Sequence, residues 1–196
     1  MAQNLKWNSL NDGHFPDLLT EMLFGADTYC TKEEERKWTE DFKAQWAGTP
    51  YPPIFVTADA VMVQDNRLLL VRRGRMPGRG RLALPGGHVD QDELIRDAAI
   101  RELIEETNPS NAAEPYSPKV LYSWITAWQV FDEPRRSANG RVITTAFLFE
   151  VPKETAEISV TAGDDAGEAA WHDLNNLNPS EFFGDHFHII RELLLT

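Results

Sequence analysis

Apolar and polar positions along this chain follow two rhythms, and the change comes near residue 54. Upstream, "TKEEERKWTEDFKAQWAG" (31–48) sets Trp38, Phe42 and Trp46 four residues apart on a charged background, the spacing of one helix face. Thr31 followed by Glu34 has the capping-box pattern, and Gly48 is a plausible stop. An aromatic stripe of that kind must pack on its own domain or on a partner, so a homodimer is one way to cover it. "TPYPP" (49–53) reads as a stiff linker, because its prolines forbid regular hydrogen bonding.

From Ile54 the texture becomes β-rich. "IFVTADAVMV" and "RLLLVRR" flank the turn-like "QDN" and predict a hairpin. "RLALPGG" predicts a short strand ending in a Pro-Gly-Gly turn. "KVLYSWITAWQVF", "RVITTAFLFEV" and "EAAWHDL" read as further strands, and "HFHIIRELLL" as a closing helix. Between them, residues 93–107 fit a helix with Ala99, Ile100, Leu103 and Ile104 on one apolar arc. Strands around a central helix with a second helix at the end predict an α/β sandwich on a mixed sheet. The expected division is a helical extension and Pro-rich linker over 1–53 and the α/β domain over 54–196.

Composition narrows the functional classes. A formal net charge of -12 argues against nonspecific binding to nucleic acid or anionic membrane, both of which need a basic surface. At 196 residues, with 42% hydrophobic and 26% charged positions, the chain can bury a core. Cys30 is the only cysteine, which forbids an intrachain disulfide and suits a reducing, cytoplasmic setting. The N-terminal stretch lacks an apolar segment of the secretory type, and no apolar run approaches membrane-spanning length.

The chemistry concentrates in "RELIEETN" (101–108). Glu102, Glu105 and Glu106 share the helix face opposite the apolar arc, where like charges repel. They also crowd the C-terminal end of the helix, which prefers cations. A hard divalent cation such as Mg²⁺, with Mn²⁺ as a substitute, relieves both costs. It takes carboxylate and carbonyl oxygens together with waters and substrate phosphates. The Gly86 carbonyl is an expected additional ligand, and Arg101 stands beside Glu105, able to hold a carboxylate in place.

From Gly87 the chain reads G-x5-E-x7-R-E-L-x-E-E, through Glu93, Arg101, Glu102, Leu103, Glu105 and Glu106. This closely resembles the Nudix box of hydrolases that cleave a diphosphate linked to another moiety. The box ordinarily ends in glycine and an aliphatic residue; here Asn108 and Pro109 stand there, and asparagine is the usual stand-in for glycine in a left-handed helix cap. Outside the box, "PYPPIFVTADAVMV", "LLLVRRGRMPGRGRLALPGGHV", "VFDEPRRSANGRVITTAFLFE" and "FFGDHFHIIRELL" resemble the Nudix domain of bifunctional NMN adenylyltransferase/ADP-ribose pyrophosphatases. The adenylyltransferase signature H-x-G-H is absent from the chain, which fits a stand-alone relative or a fragment.

That resemblance implies Mg²⁺-dependent hydrolysis of ADP-ribose, a small nucleoside diphosphate substrate, to AMP and ribose 5-phosphate. Other nucleotides (NADH, dinucleoside polyphosphates, oxidised nucleoside triphosphates) and non-catalytic sensing of ADP-ribose are the alternatives. Glu102, Glu105 and Glu106 would hold metal, and Glu105 is the first choice for general base, with Glu168 next. Glu168 shares with Asp164 and Asp165 a loop that could overhang the site. Arg73 and Arg81 are expected at the diphosphate, since arginine grips phosphate oxygens bidentately. In that family Arg136 and Arg141 bracket a loop near the substrate, and Arg141 is preferred as a contact. Trp124, which alternates with Trp128 on a predicted strand, is a candidate for stacking on adenine.

Overall fold

A computed structural model describes residues 30–112, 114–163 and 166–194. Helix α1 (Lys32–Ala44) begins where the sequence requires: the Thr31 hydroxyl accepts the Glu34 N–H at 3.2 Å while the Glu34 carboxylate accepts the Thr31 N–H at 2.7 Å. It ends at Ala44, before Gly48, and residues 45–48 follow as turns.

Strands β1 (Ile54–Gln64) and β2 (Arg67–Arg73) form the expected hairpin. Asp65 and Asn66 both take positive φ, 48° and 64°, as the twist-matched two-residue turn demands. After β3 (Leu82–Ala83), the glycine pair belongs to a short strand, β4 (Gly86–His88), laid antiparallel on β1 with Gly86 opposite Asp59. Helix α2 (Ile95–Thr107) follows, then the small hairpin β5 (Ser110–Asn111) and β6 (Glu114–Pro115). "KVLYSWITAWQVF" divides in two. Pro118, placed at the first helical position after Ser117, starts the short helix α3 (Pro118–Ser123), and only Ile125–Phe131 forms strand β7. Strands β8 (Arg141–Glu150) and β9 (Ala166–Asp173) and helix α4 (His186–Leu194) complete the chain.

The sheet runs β3-β2-β1-β8-β7, with β4 also pairing β1 and β9 also pairing β2. β1 and β8 are parallel from Ile54↔Arg141 to Val63↔Glu150, and the other pairings are antiparallel, so the sheet is mixed. Both faces are covered. Ala60, Met62, Leu69 and Phe149 pack with Ala99, Ile100 and Leu103 of α2, whereas Val61, Leu68, Leu70 and Leu148 pack with Ile189 and Ile190 of α4. Alternation along β1 sends successive side chains to opposite layers, which makes the α/β/α sandwich. Among the described residues no helix is long and apolar enough to cross a membrane.

Candidate active site

A cleft of about 690 Å³ opens where α2, the β4 backbone, the loops after β2 and β7, and the flank of α1 meet. Helix α2 is pinned to it by Arg101. Its Nε and Nη2 grip both oxygens of Glu93 at 3.1 and 2.7 Å, Nη1 reaches Glu102 at 2.8 Å and Glu105 at 3.0 Å, and Nη2 also donates to the His88 carbonyl. Glu102 lies against the Gly87 backbone so closely that a Cβ there would stand 2.4 Å from its Oε1. A side chain at 87 would therefore displace the Glu102 carboxylate from its place beside Arg101. One helical turn on, Glu106 accepts the Gly86 N–H at 3.1 Å.

The C-terminal end of α2 is less negative than its sequence suggests. Asn108 caps it with φ 38° and ψ 61°, donating its N–H to the Ile104 carbonyl. A loop then brings the Thr161 N–H to the Thr107 carbonyl at 2.8 Å and the Gly163 N–H to the Glu106 carbonyl at 3.0 Å. These donors satisfy carbonyls that a helix end leaves open.

Water loss dominates the electrostatics. Burial raises the Glu106 carboxyl to about 7, helped by the charges of Glu102 and Asp59 and opposed by the Gly86 N–H and by Arg73. Burial also raises Glu102 against the pull of Arg101. Burial raises Asp59, behind Gly86, despite Arg136 and a hydrogen bond from the Thr144 hydroxyl. The Arg73 guanidinium is stripped of water in turn, which lowers its pKa. It lies 4.3 Å above the Phe183 ring with Nε donating to the Pro77 carbonyl. Among the described residues, Arg73 has no carboxylate within ion-pair distance and Glu106 has no cation. Deeper in the wall, Arg136 makes a bidentate pair with Asp185, 2.8 Å in each arm, and His186 accepts the Leu84 N–H.

A family model described as the NUDIX domain matches residues 53–193. The chain belongs to the Nudix family. It is a Nudix hydrolase by domain and by relatives. An ADP-ribose pyrophosphatase of Methanocaldococcus jannaschii is 36% identical over 139 residues, 71% of this chain and 72% of that protein. A bifunctional NMN adenylyltransferase/ADP ribose pyrophosphatase from Francisella tularensis, solved with AMP and manganese, superimposes with a TM-score of 0.76 at 34% identity. That match covers 83% of this chain and 47% of the other, so the chain spans just under half of the bifunctional protein. The Nudix domain of Shewanella oneidensis NrtR, solved with ADP ribose, gives 0.59 at 22% identity over 80% of this chain and 98% of that one, a likeness of fold alone.

Within this Nudix framework the cleft gathers Glu102, Glu106, Arg101, Arg73 and Gly86. Other expected residues stand elsewhere. Glu105 turns outward to Arg101, its side chain 57% exposed against 14% for Glu102. Glu168 pairs with Arg72 at 3.2 Å on β9, outside the lining, so neither favoured base faces the cleft. Asp164 and Asp165 lie outside the described residues. Arg81 donates to the Phe182 carbonyl at 3.1 Å and Arg141 to the Asp132 carbonyl, both away from the cleft. Trp124 caps α3, is 5% exposed in the core and packs on Tyr116 at 4.9 Å, which removes it as a stacking surface. Asp59 and Arg136 also line the cleft. Asp59 was not among the expected residues, although an acid in the middle of "VTADAV" breaks the apolar run of β1; Arg136 stands on the loop expected near the substrate, and its partner Asp185 is set only by the fold.

The donor set fits a divalent cation that keeps some of its own ligands. Among the described residues no three His, Cys, Asp or Glu side chains enclose an ion by themselves. Two water-poor carboxylates stand one turn apart with Asp59 behind them; Glu102 is answered by Arg101, whereas Glu106 faces the cleft without a cation within ion-pair distance among the described residues. Magnesium commonly binds in this way, through one or two carboxylates with waters and phosphates completing the shell.

Proposed function

We propose that this Nudix hydrolase cleaves ADP-ribose to AMP and ribose 5-phosphate in a Mg²⁺-dependent reaction, with Mn²⁺ able to substitute. One observation carries the reading: Arg73 and Glu106 face the same cleft, each deprived of water and each without an ion-pair partner. A diphosphate accompanied by a divalent cation supplies the missing charge to both, anion to Arg73 and cation to Glu106. Kinship with ADP-ribose pyrophosphatases at 36% and 34% identity supports this choice of substrate.

In this reading Glu102 and Glu106 hold the cation, with the Gly86 carbonyl as a further ligand. Arg101 keeps Glu102 oriented while itself held by Glu93. Arg73, fixed on the Phe183 ring, receives the phosphate oxygens. A cation held by Glu102 and Glu106 would supply a water of lowered pKa and offset charge developing on phosphoryl oxygens. A water oxygen bonds to one phosphorus as the bridging P–O bond breaks, the departing phosphate takes the electron pair, and the protons of the water pass to solvent.

The test measures AMP release from ADP-ribose, NADH and a dinucleoside polyphosphate side by side in Mg²⁺. ADP-ribose is expected to have the highest kcat/KM, and EDTA to abolish turnover. A clear preference for another nucleotide would leave the Nudix chemistry intact and overturn the substrate.

A further inference from the structure

The Nudix match starts at residue 53, yet one wall of the cleft is built upstream of it. Glu35 of α1 lines the cleft together with Arg73, the last residue of β2. The loop that follows Arg73 closes on itself. The Gly80 N–H donates to the Arg73 carbonyl at 2.7 Å and the Arg73 N–H to the Arg81 carbonyl at 3.0 Å. Inside this loop the Pro77–Gly78 peptide is bonded at both ends. Its carbonyl accepts the Arg73 Nε–H at 2.6 Å, and its N–H donates to Glu35 Oε1, also at 2.6 Å. A chain of donors thus runs from the guanidinium, through one peptide plane, to a carboxylate on a helix outside the match.

Residue 78 does not choose the orientation of that plane. Gly78 has φ 72°, and glycine lets the preceding peptide turn either way at little cost. With the plane reversed, the Pro77 carbonyl would face the Glu35 carboxylate and the Arg73 Nε–H would lose its acceptor. A carboxylate that accepts the N–H also polarises the peptide, which strengthens its carbonyl as an acceptor for Nε. The Phe183 ring limits the guanidinium from the other side. It lies 4.3 Å from the guanidinium carbon and so close to Gly78 that a Cβ there would stand 2.2 Å from Cδ2. Among the described residues Nε is the one guanidinium nitrogen with a hydrogen bond, so Nη1 and Nη2 remain for a ligand. The Glu35 charge also offsets part of the cost of burying Arg73.

We propose that Glu35 is a positioning residue: through the Pro77–Gly78 peptide it holds the Arg73 guanidinium in the orientation in which Nη1 and Nη2 meet phosphate oxygens. The proposal rests on the reading of Arg73 as the phosphate grip. It brings a helix outside the Nudix match into the function without giving it a substrate contact.

A double-mutant cycle on the full chain tests it, with kcat/KM for ADP-ribose measured in Mg²⁺. Glu35→Ala should lower kcat/KM by about 3- to 30-fold, mostly through KM. In the Arg73→Ala background the same change should cost less than about twofold, because a residue that acts through Arg73 then has nothing to position. Glu35→Gln keeps an oxygen for the Gly78 N–H and should restore most of the loss. A second readout needs no substrate. The Arg73 Nε–H resonance, assigned by its disappearance in Arg73→Ala, should exchange with solvent at least about 10-fold faster in Glu35→Ala, although no hydrogen bond or ion pair joins the two side chains. Unchanged exchange overturns the proposal. With Arg73→Ala impaired, so does an absence of loss in Glu35→Ala, or an equal loss in both backgrounds, which simple undocking of α1 would give. If Arg73→Ala hydrolyses ADP-ribose at the parental rate while the exchange still responds to Glu35, the phosphate grip falls and the coupling of Glu35 to Arg73 stands.

Discussion

The charge state of Glu106 gives a prediction whose size follows from the structure. Its carboxyl rises from an ordinary 4.5 to about 7, so between those values the folded chain keeps a proton that the unfolded chain has released. Stability must then fall as pH rises from about 4.5 to about 7 and level off above. At about 1.4 kcal/mol per decade the full penalty is at most about 3.5 kcal/mol. Glu106→Gln removes the charge and retains an oxygen to accept the Gly86 N–H. In metal-free urea unfolding the variant should match the parent near pH 4.5 and exceed it by about 1–3 kcal/mol at pH 8. Comparison at each pH cancels the titration of remote carboxylates. Mg²⁺ should stabilise the parent at pH 8 and leave the variant nearly unchanged, while ADP-ribose turnover by the variant is largely lost. A stability difference that stays constant across pH, or a variant less stable than the parent at pH 8, would refute a desolvated, cation-seeking Glu106.

Arg73→Ala should lower kcat/KM for ADP-ribose by about 10- to 150-fold, mostly through KM, as loss of charge-assisted hydrogen bonds costs about 1.5–3 kcal/mol; steady-state kinetics on the purified variant decide it. Arg136→Ala leaves Asp185 buried and alone, and urea unfolding should show a loss of about 3–5 kcal/mol. The paired replacement Arg136→Met with Asp185→Leu should lose much less. Asn108→Gly should hold stability or raise it by up to about 1 kcal/mol, because the position is left-handed, and Asn108→Val should destabilise clearly in the same assay.

Local rules carried the reading wherever one residue determines the backbone. The paired left-handed residues Asp65 and Asn66, the cap at Asn108 and the apolar arc of α2 all appear where pattern and turn chemistry place them. The division of 118–131 was also written in the sequence, since Ser117-Pro118 is a helix start, but the apolar run around it mimics a strand. The fate of the three glutamates was not legible. Spacing puts Glu102, Glu105 and Glu106 on one broad face, and only the position of Arg101, set by Glu93 and the His88 carbonyl, turns Glu105 outward. Trp124 shows the same limit, because its burial depends on Tyr116 reaching it from a separate segment. Arg81 and Arg141 are spent on backbone carbonyls that no spacing rule identifies.

The attachment of α1 bears on how such proteins can be cut and recombined. Its anchors, Phe55 one side and the Gly78 N–H on the other, both lie inside the family domain, while the helix itself lies before the boundary at residue 53. A module excised at that boundary would take the carboxylates and Arg73 with it, but would leave Phe55 bare and the Gly78 N–H without its acceptor. The domain that the family match defines is thus smaller than the unit that closes the cleft. A chimera that moves this chemistry to another protein has to carry the strap and helix of residues 31–53 as part of the same cassette.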